Sequence, residues 1–154
     1  MTTRYSLDTS SLIRAWHEAY PIDVAPTFWD HLQKTFAAQR AMISEEVLRE
    51  TSKRSSDLHA WLKQHGNVID LDDEQQQCCL TLLAKHPLMA KNRKGADAAD
   101  PWVIALAQST GATVVSEESL VDSEKRPKIP GICAQELLPC INLLAFMRAN
   151  QWRL

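Results

Sequence analysis

The sequence predicts an α/β domain built on a parallel sheet that is covered on both faces. Short apolar runs alternate with longer stretches whose apolar residues recur at helical spacing. The 154 residues suffice for one ordinary domain with a real core, so residues 1–154 are read as a single unit. No internal repeat or low-complexity tract divides them.

The elements follow in order. Residues 4–8 form a short strand, and Thr9, Ser10 and Ser11 offer caps for a helix that runs to about Tyr20, where Pro21 stops it. Pro26 opens a second helix with Phe28, Trp29, Leu32 and Phe36 at helical spacing. Ala41, Met42 and Ile43 make a brief extended segment. A long helix then covers about Ser44 to His65, ended by Gly66. Val68 to Leu71 is extended or loop. A helix over roughly 73–90 is kinked or ended by Pro87. Residues 91–100 are polar and loop-like. Pro101 to Ser109 is a buried helix capped by Gly111, followed by a buried strand over Ala112 to Ser116. Residues 119–130 form a charged loop, Ile132 and Cys133 a last strand, and Leu143 to Asn150 a closing helix.

The net charge of −2 gives no global field that would drive the chain onto nucleic acid, so any such contact needs a local patch. The N-terminus lacks the apolar core of a signal peptide, and no apolar run is long enough to span a bilayer. The expected setting is the cytoplasm, with reduced thiols. The four cysteines fit it: Cys78 and Cys79 are adjacent, and Cys133 and Cys140 lack a zinc-finger spacing, so buried thiols are the plainer reading.

Acidic residues just beyond strand ends carry the chemical interest, because sheets of this kind bind ligands beyond the carboxyl ends of their strands. Asp8 follows the first strand, and Glu117 and Glu118 follow the late one. Asp97 and Asp100 precede the helix leading into that late strand, and Glu45, Glu46 and Glu50 lie on the first turns of the long helix. Carboxylates gathered at one rim repel each other unless a cation neutralises them, and hard oxygen donors select Mg²⁺, Mn²⁺ or Ca²⁺ over Zn²⁺. Each acid also has a plain structural use. Asp8 fits a helix N-cap. Asp100 before Pro101 fits the pairing of N-cap with first-turn proline. Glu46 and Glu50 fit surface pairs with Arg49, Lys53 or Arg54, and Glu117 and Glu118 fit a solvated loop.

Tyr5 to Ile13, a strand ending in Asp8 and followed by hydroxyl residues and an apolar helix, resembles the opening of the PIN-domain family. Asp100 to Ala107 resembles its third acidic motif. Thr113 to Glu118 resembles its last, with Ser116 in the hydroxyl place and Glu118 where aspartate is usual. Val47-Leu48-Arg49-Glu50 best matches the second acid, Glu50, with Glu46 one turn earlier as the fallback. Residues 20–29 and 128–133 resemble a small bacterial PIN-like family first catalogued as a domain of unknown function. The resemblance covers nearly the whole chain. It implies a three-layer α/β/α sandwich with a central, mostly parallel sheet. It also implies a Mg²⁺- or Mn²⁺-dependent endoribonuclease, commonly the toxin of a bacterial toxin–antitoxin pair, held inactive by an antitoxin that covers the site.

On that basis Asp8, Asp100 and Glu118 are expected to hold the metal, and Glu50 to orient the attacking water or a second metal. Ser116 and Thr9 or Ser10 would donate to the carboxylates or to phosphate, although helix capping is the plainer use of Thr9 and Ser10. Lys91, Arg93 and Lys94 form the best local patch for the RNA backbone, and Lys125, Arg126 and Lys128 a weaker one. Tryptophans 16, 29, 61, 102 and 152 sit among apolar residues, which favours packing over base stacking. No Gly-x-Ser-x-Gly elbow and no glycine-rich phosphate loop is present. Apolar helical surface near the termini would suit a homodimer. Two other readings stay open: an inactive PIN-like module that binds RNA or a protein partner, and a Mg²⁺-dependent phosphoacceptor domain, for which only Lys128 is a candidate lysine.

Overall fold

Tyr5, Ser6 and Leu7 are buried on every side, and the strand they form, β1 (Tyr5–Leu7), is the centre of the sheet. A computed structural model describes residues 2–91, 98–118 and 127–154 of the chain. Around β1 stand β2 (Ala41–Ser44), β3 (Val68–Ile69), β4 (Thr113–Val115) and β5 (Cys140–Ile141), in the order β3-β2-β1-β4-β5. Every described pairing is parallel, with Ser6 opposite Met42 on one side and Val114 on the other. A fully parallel sheet needs cover on both faces, and the helices provide it in a three-layer α/β/α sandwich.

The first helix, α1 (Thr9–Arg14), continues as one π-helical turn over Ala15–Ala19. It is followed by α2 (Pro26–Ala37), α3 (Glu45–Arg54) and α4 (Ser56–His65). After β3 come α5 (Asp73–Lys85), α6 (Pro87–Lys91) and α7 (Asp100–Thr110), and then α8 (Ile129–Gln135) and α9 (Leu143–Ala149). Helix α7 is apolar almost all round and has Val103, Ile104, Ala105, Leu106 and Ala107 fully buried, as a helix laid across a sheet requires. Ser6 Oγ donates to the Val103 carbonyl at 2.9 Å, which fixes α7 against β1. Gly111 ends α7 at φ 72°, the left-handed conformation that glycine adopts without strain, and the chain turns straight into β4. Helix α7 therefore runs opposite to the strands, and its first residue, Asp100, lies at their carboxyl ends.

Two expectations need correction. The long helix over Ser44–His65 is two helices, because Ser55 adopts an extended conformation (φ −158°, ψ 97°) and its hydroxyl pairs with His17 Nε2 at 2.9 Å. Ile132 and Cys133 are helical, inside α8; the last strand is Cys140–Ile141. A pair of apolar residues has no period, and Pro130 in the first turn of α8 was the better local signal. Of the caps read for the first helix, the structure uses Asp8. Pro87 separates α5 from α6 as expected, with His86 non-helical (φ −127°, ψ 68°).

Trp16, Trp29, Trp61 and Trp152 pack in or against the core. Trp29 is buried, touches Trp16 and Trp61 edge-on with ring centroids 4.9 Å away, and donates its indole N–H to the Tyr20 carbonyl at 2.6 Å. Trp152 closes the far end against Phe28 and Phe146. Away from the rim, Glu136 at the end of α8 accepts from His86 Nε2 at 3.0 Å, Lys85 Nζ at 3.3 Å and Gln108 Nε2 at 3.3 Å, which joins the end of α5, α7 and α8.

The hydrogen bond from His86, with Lys85 beside it, holds the Glu136 carboxyl below its ordinary value of 4.5. A depressed carboxylate stabilises the fold fully above its ordinary value, and that contribution is lost as pH falls through the folded-state value. Glu136→Gln is expected to cost about 1–2 kcal/mol at neutral pH. In urea titrations at a series of pH values, the gap between variant and wild type should shrink as pH drops below 4.5. A gap that is constant with pH would show that the carboxylate's charge is not what joins these helices.

Candidate active site

The order of the strands reverses between β1 and β4: from β1 the chain winds outward to β2 and β3 on one side, then returns to place β4 and β5 on the other. Splayed connections leave a crevice at such a point, beyond the carboxyl ends of the two strands. Asp8 lies there. Its N–H continues the ladder to the Val115 carbonyl at 3.0 Å, and its carboxylate turns to meet three donors. Oδ1 accepts from the Ser11 N–H at 2.7 Å, and Oδ2 accepts from Ser10 Oγ and from Ser116 Oγ, both at 2.6 Å. Asp8 is thus both the N-cap of α1 and a rim carboxylate. It is only 1% exposed. Burial pushes its carboxyl up despite the hydrogen bonds, and among the described residues no lysine or arginine pairs with it.

Ser116 spans the crevice. It follows β4, bonds through its N–H to the Ile141 carbonyl at 3.0 Å, gives its hydroxyl proton to Asp8 and accepts the Glu118 N–H at 3.1 Å. The hydroxyl–x–acid spacing therefore has a local cause: the Ser116 side chain folds the next two residues back over the strand end. Glu118 Oε2 in turn accepts the Ile129 N–H at 2.8 Å, at the start of α8. Cys133 and Cys140 lie beneath. The Cys133 thiol is pushed up by its contact with Cys140 and by burial, and the charges of Asp8 and Glu118 both add to the shift. The two carboxylates thus act on the same thiol pair. Glu117 makes a separate pair, with Oε1 3.8 Å from Arg14 Nε, and lines a cavity together with Ser116 and Glu118.

Glu50 and the residue before Asp100 meet at the start of α7. Both acids are buried, Glu50 at 5% and Asp100 at 8% exposure. Glu50 reaches across from α3, and its Oε2 accepts the Ala99 N–H at 3.0 Å, one residue before Asp100. Its other oxygen lies 3.8 Å from Arg54. Asp100 is not the cap of α7; that residue is Ala99, whose carbonyl takes the Trp102 and Val103 N–H groups, so the capping explanation of Asp100 is set aside. Its placement follows from the contact of Ser6 with Val103. Asp8 is two residues beyond Ser6 on the same side of β1, and Asp100 is one turn before Val103, which sets the two acids toward the same end of the crevice. Glu46 is the surface residue of its plainer reading, paired with Arg49.

The donor set suits a hard divalent cation, since every rim ligand is a carboxylate or hydroxyl oxygen. The observation that favours a cation is Asp8 itself, buried, raised and without a basic partner among the described residues. Thr9 Oγ1, on the next residue, is also buried and has no hydrogen-bond partner among them. No group of three His, Cys, Asp or Glu side chains among the described residues is arranged to hold an ion on its own. An ion taken at this rim would have one or two protein carboxylates and keep several waters, the usual habit of Mg²⁺.

Arg93, Lys94, Asp97, Lys125 and Arg126 lie outside the described residues, and Lys91 closes α6. Among the described residues no helix is long and apolar enough to cross a membrane. Two features escaped sequence reading: the contact between Glu50 and the Ala99 N–H, which joins residues 49 apart, and a cavity of about 560 Å³ lined by Glu117, Glu118, Pro130, Leu138, Ile141 and Asn142 among others. Long-range contacts of this kind leave no periodic trace in a sequence.

Residues 5–154 match the family described as a domain of unknown function, DUF4411, and the chain belongs to that family. That description assigns no activity. No curated protein matches the chain.

Ser116→Ala removes a donor to Asp8 and an acceptor for the Glu118 N–H at once. It is expected to cost about 1–3 kcal/mol in denaturant titration, the range for a buried polar group left short of a partner. Ser116→Thr, which keeps the hydroxyl, should recover most of that. Equal stability of wild type and Ser116→Ala would show that the bridge across the crevice is not structural.

Proposed function

We propose that this member of the family is a metal-dependent endoribonuclease. The observation that carries the reading is the buried Asp8 at the switch point, which has no basic partner among the described residues and is bridged by Ser116 to the strand that leads to Glu118. The PIN-like order of Asp8, Glu50, Asp100 and Glu118 along the chain supports it, as do the burial of Asp8, Glu50 and Asp100 and the place of Asp8 just beyond β1.

Asp8, Asp100 and Glu118 would hold a Mg²⁺ or Mn²⁺ ion, the last directly or through water. When bound, such an ion lowers the pKa of coordinated water and offsets charge building on the phosphate. The protein's own part is placement. Ser10, Ser11 and Ser116 hold Asp8 in one orientation, so no reorganisation is needed when substrate arrives. Glu50, fixed by the Ala99 N–H, would orient the attacking water. The burial of Asp8 keeps it out of bulk water, which strengthens each charge interaction there. Lys91, Arg93 and Lys94 remain the proposed grip on the RNA backbone. The toxin role, a cognate antitoxin, a homodimer and a cytoplasmic setting come with the PIN-like resemblance and are proposed on that ground alone.

One observation favours a second reading, an inactive module that binds RNA or a partner: Glu118 Oε2 is already engaged by the Ile129 N–H at 2.8 Å. Cleavage of a mixed, structured RNA pool separates the two. Wild type with Mg²⁺ or Mn²⁺ should cut, and EDTA should stop it. Asp8→Asn and Asp100→Asn should each lower the rate by about 100-fold or more. Asparagine also caps helices well, so Asp8→Asn should stay folded, as circular dichroism would verify. Wild-type rates in both folded variants would sink the nuclease reading, and no cleavage with any metal would favour the binding module.

A further inference from the structure

The cavity of about 560 Å³ beyond β4 and β5 is separate from the Asp8 carboxylate but shares Ser116 and Glu118 with the rim. Its size falls in the range of roughly 300–1,000 Å³ typical of small-molecule sites. Its lining includes the apolar Pro130, Leu138 and Ile141 and the polar Glu117, Glu118 and Asn142. Two adjacent carboxylates repel an anion, so the phosphate is not what enters. The lining suits a flat, neutral ring that offers hydrogen-bond donors along one edge.

We infer that this cavity receives a guanine base of the RNA chain next to the scissile phosphate. The inference rests on the nuclease reading for its choice of RNA as the source of the base. The hydrogen-bonding pattern selects the base. Glu118 Oε2 holds the Ile129 N–H, whereas the Glu117 carboxylate accepts no hydrogen bond among the described residues and has only the 3.8 Å approach of Arg14. A carboxylate is acceptor-only, and two parallel donors fit it best. Guanine carries such a pair, N1–H beside the N2 amino group, on its Watson–Crick edge. Asn142 Oδ1 accepts the Ala145 N–H at 2.8 Å, which turns the amide so that Nδ2 is the donor it has to offer. That donor matches the O6 acceptor of the same guanine edge. Adenine and cytosine would set a ring nitrogen acceptor against the carboxylate, and uracil a carbonyl oxygen, each leaving like dipoles opposed.

The test is equilibrium binding by calorimetry, with the whole chain in EDTA so that no cleavage occurs. The probes are the trinucleotides UpGpU, UpApU, UpCpU and UpUpU, with guanosine monophosphate as a separate arm. UpGpU is expected to bind about tenfold or more tightly than the other three, the discrimination of one good paired contact. Glu117→Gln should flatten the preference. Ala134→Trp, which places a large ring at an exposed position on the cavity wall, should weaken UpGpU about tenfold as well. Equal binding of the four trinucleotides, no binding by folded protein, or a guanine preference that survives both variants would overturn the inference. Guanosine monophosphate bound without UpGpU would overturn the RNA source in favour of a free nucleotide. The two proposals fail separately: guanine-selective binding without cleavage under any metal removes the nuclease and leaves the pocket, and cleavage without base preference does the reverse.

Discussion

The hydrogen bond from Ser116 Oγ to Asp8 Oδ2 joins the two halves of the sheet at the place where their connections part. A carboxylate taken almost wholly out of water is costly, and the cost is offset only if its lone pairs are met. Three donors meet them here, two from the first turn of α1, the N–H of Ser11 and the hydroxyl of Ser10, and one from beyond β4, the hydroxyl of Ser116. The start of α1 and the end of β4 are set by the same charged group. The donors leave Asp8 oriented but still raised by burial, which is the electrostatic condition a cation would relieve.

Glu50 extends this arrangement to the other layer. Helix α3 follows directly on β2, and α7 begins after a long connection, so nothing local sets their relative height. The Glu50 carboxylate meeting the Ala99 N–H does so, since it both satisfies an amide at the start of α7 and brings Asp100 to the rim. Ser6, holding the Val103 carbonyl one turn on, fixes the same helix against β1. Two polar contacts thus set the position of an otherwise apolar helix. Apolar packing alone tolerates sliding, and hydrogen bonds to backbone groups do not.

The core was legible in the sequence because it is periodic. The strand at Tyr5–Leu7, the buried helix after Pro101, the glycine turn at Gly111 and the strand after it all follow from local pattern, and α2 follows from the spacing of Phe28, Trp29, Leu32 and Phe36. The break at Ser55 was not legible, since its cause is a histidine 38 residues away. Nor was the helical state of Ile132 and Cys133, because two apolar residues fit either state and the cap that starts α8 comes from Glu118. Among the acids, position after a strand pointed to Asp8, Glu117 and Glu118 alike, and the PIN-like resemblance pointed to Glu50, which is buried, ahead of Glu46, which is paired with Arg49. The plainer reading of Asp100 failed by one residue, a shift that cap residues show easily. The basic patch at Arg93 and Lys94 lies outside the described residues, so it adds nothing to this comparison.

Glutamate at position 118, where the PIN-like pattern more often has aspartate, acquires a physical meaning from its partner. The Ile129 N–H it accepts opens α8, eleven residues further along the chain, and an aspartate, one methylene shorter, would fall short of the same amide. The longer side chain lets one residue sit beside the Asp8–Ser116 bridge and also fix the helix whose Pro130 walls the neighbouring cavity. Cation binding by Glu118 and the position of α8 would then be linked. Whatever draws the carboxylate toward Asp8 must share or release the Ile129 N–H, and whatever fills the cavity bears on α8 from the other side. Linkage of this kind is reciprocal. A base seated against α8 and a cation held at the rim would each change the affinity for the other, and the sign would depend on whether Glu118 can serve both partners at once.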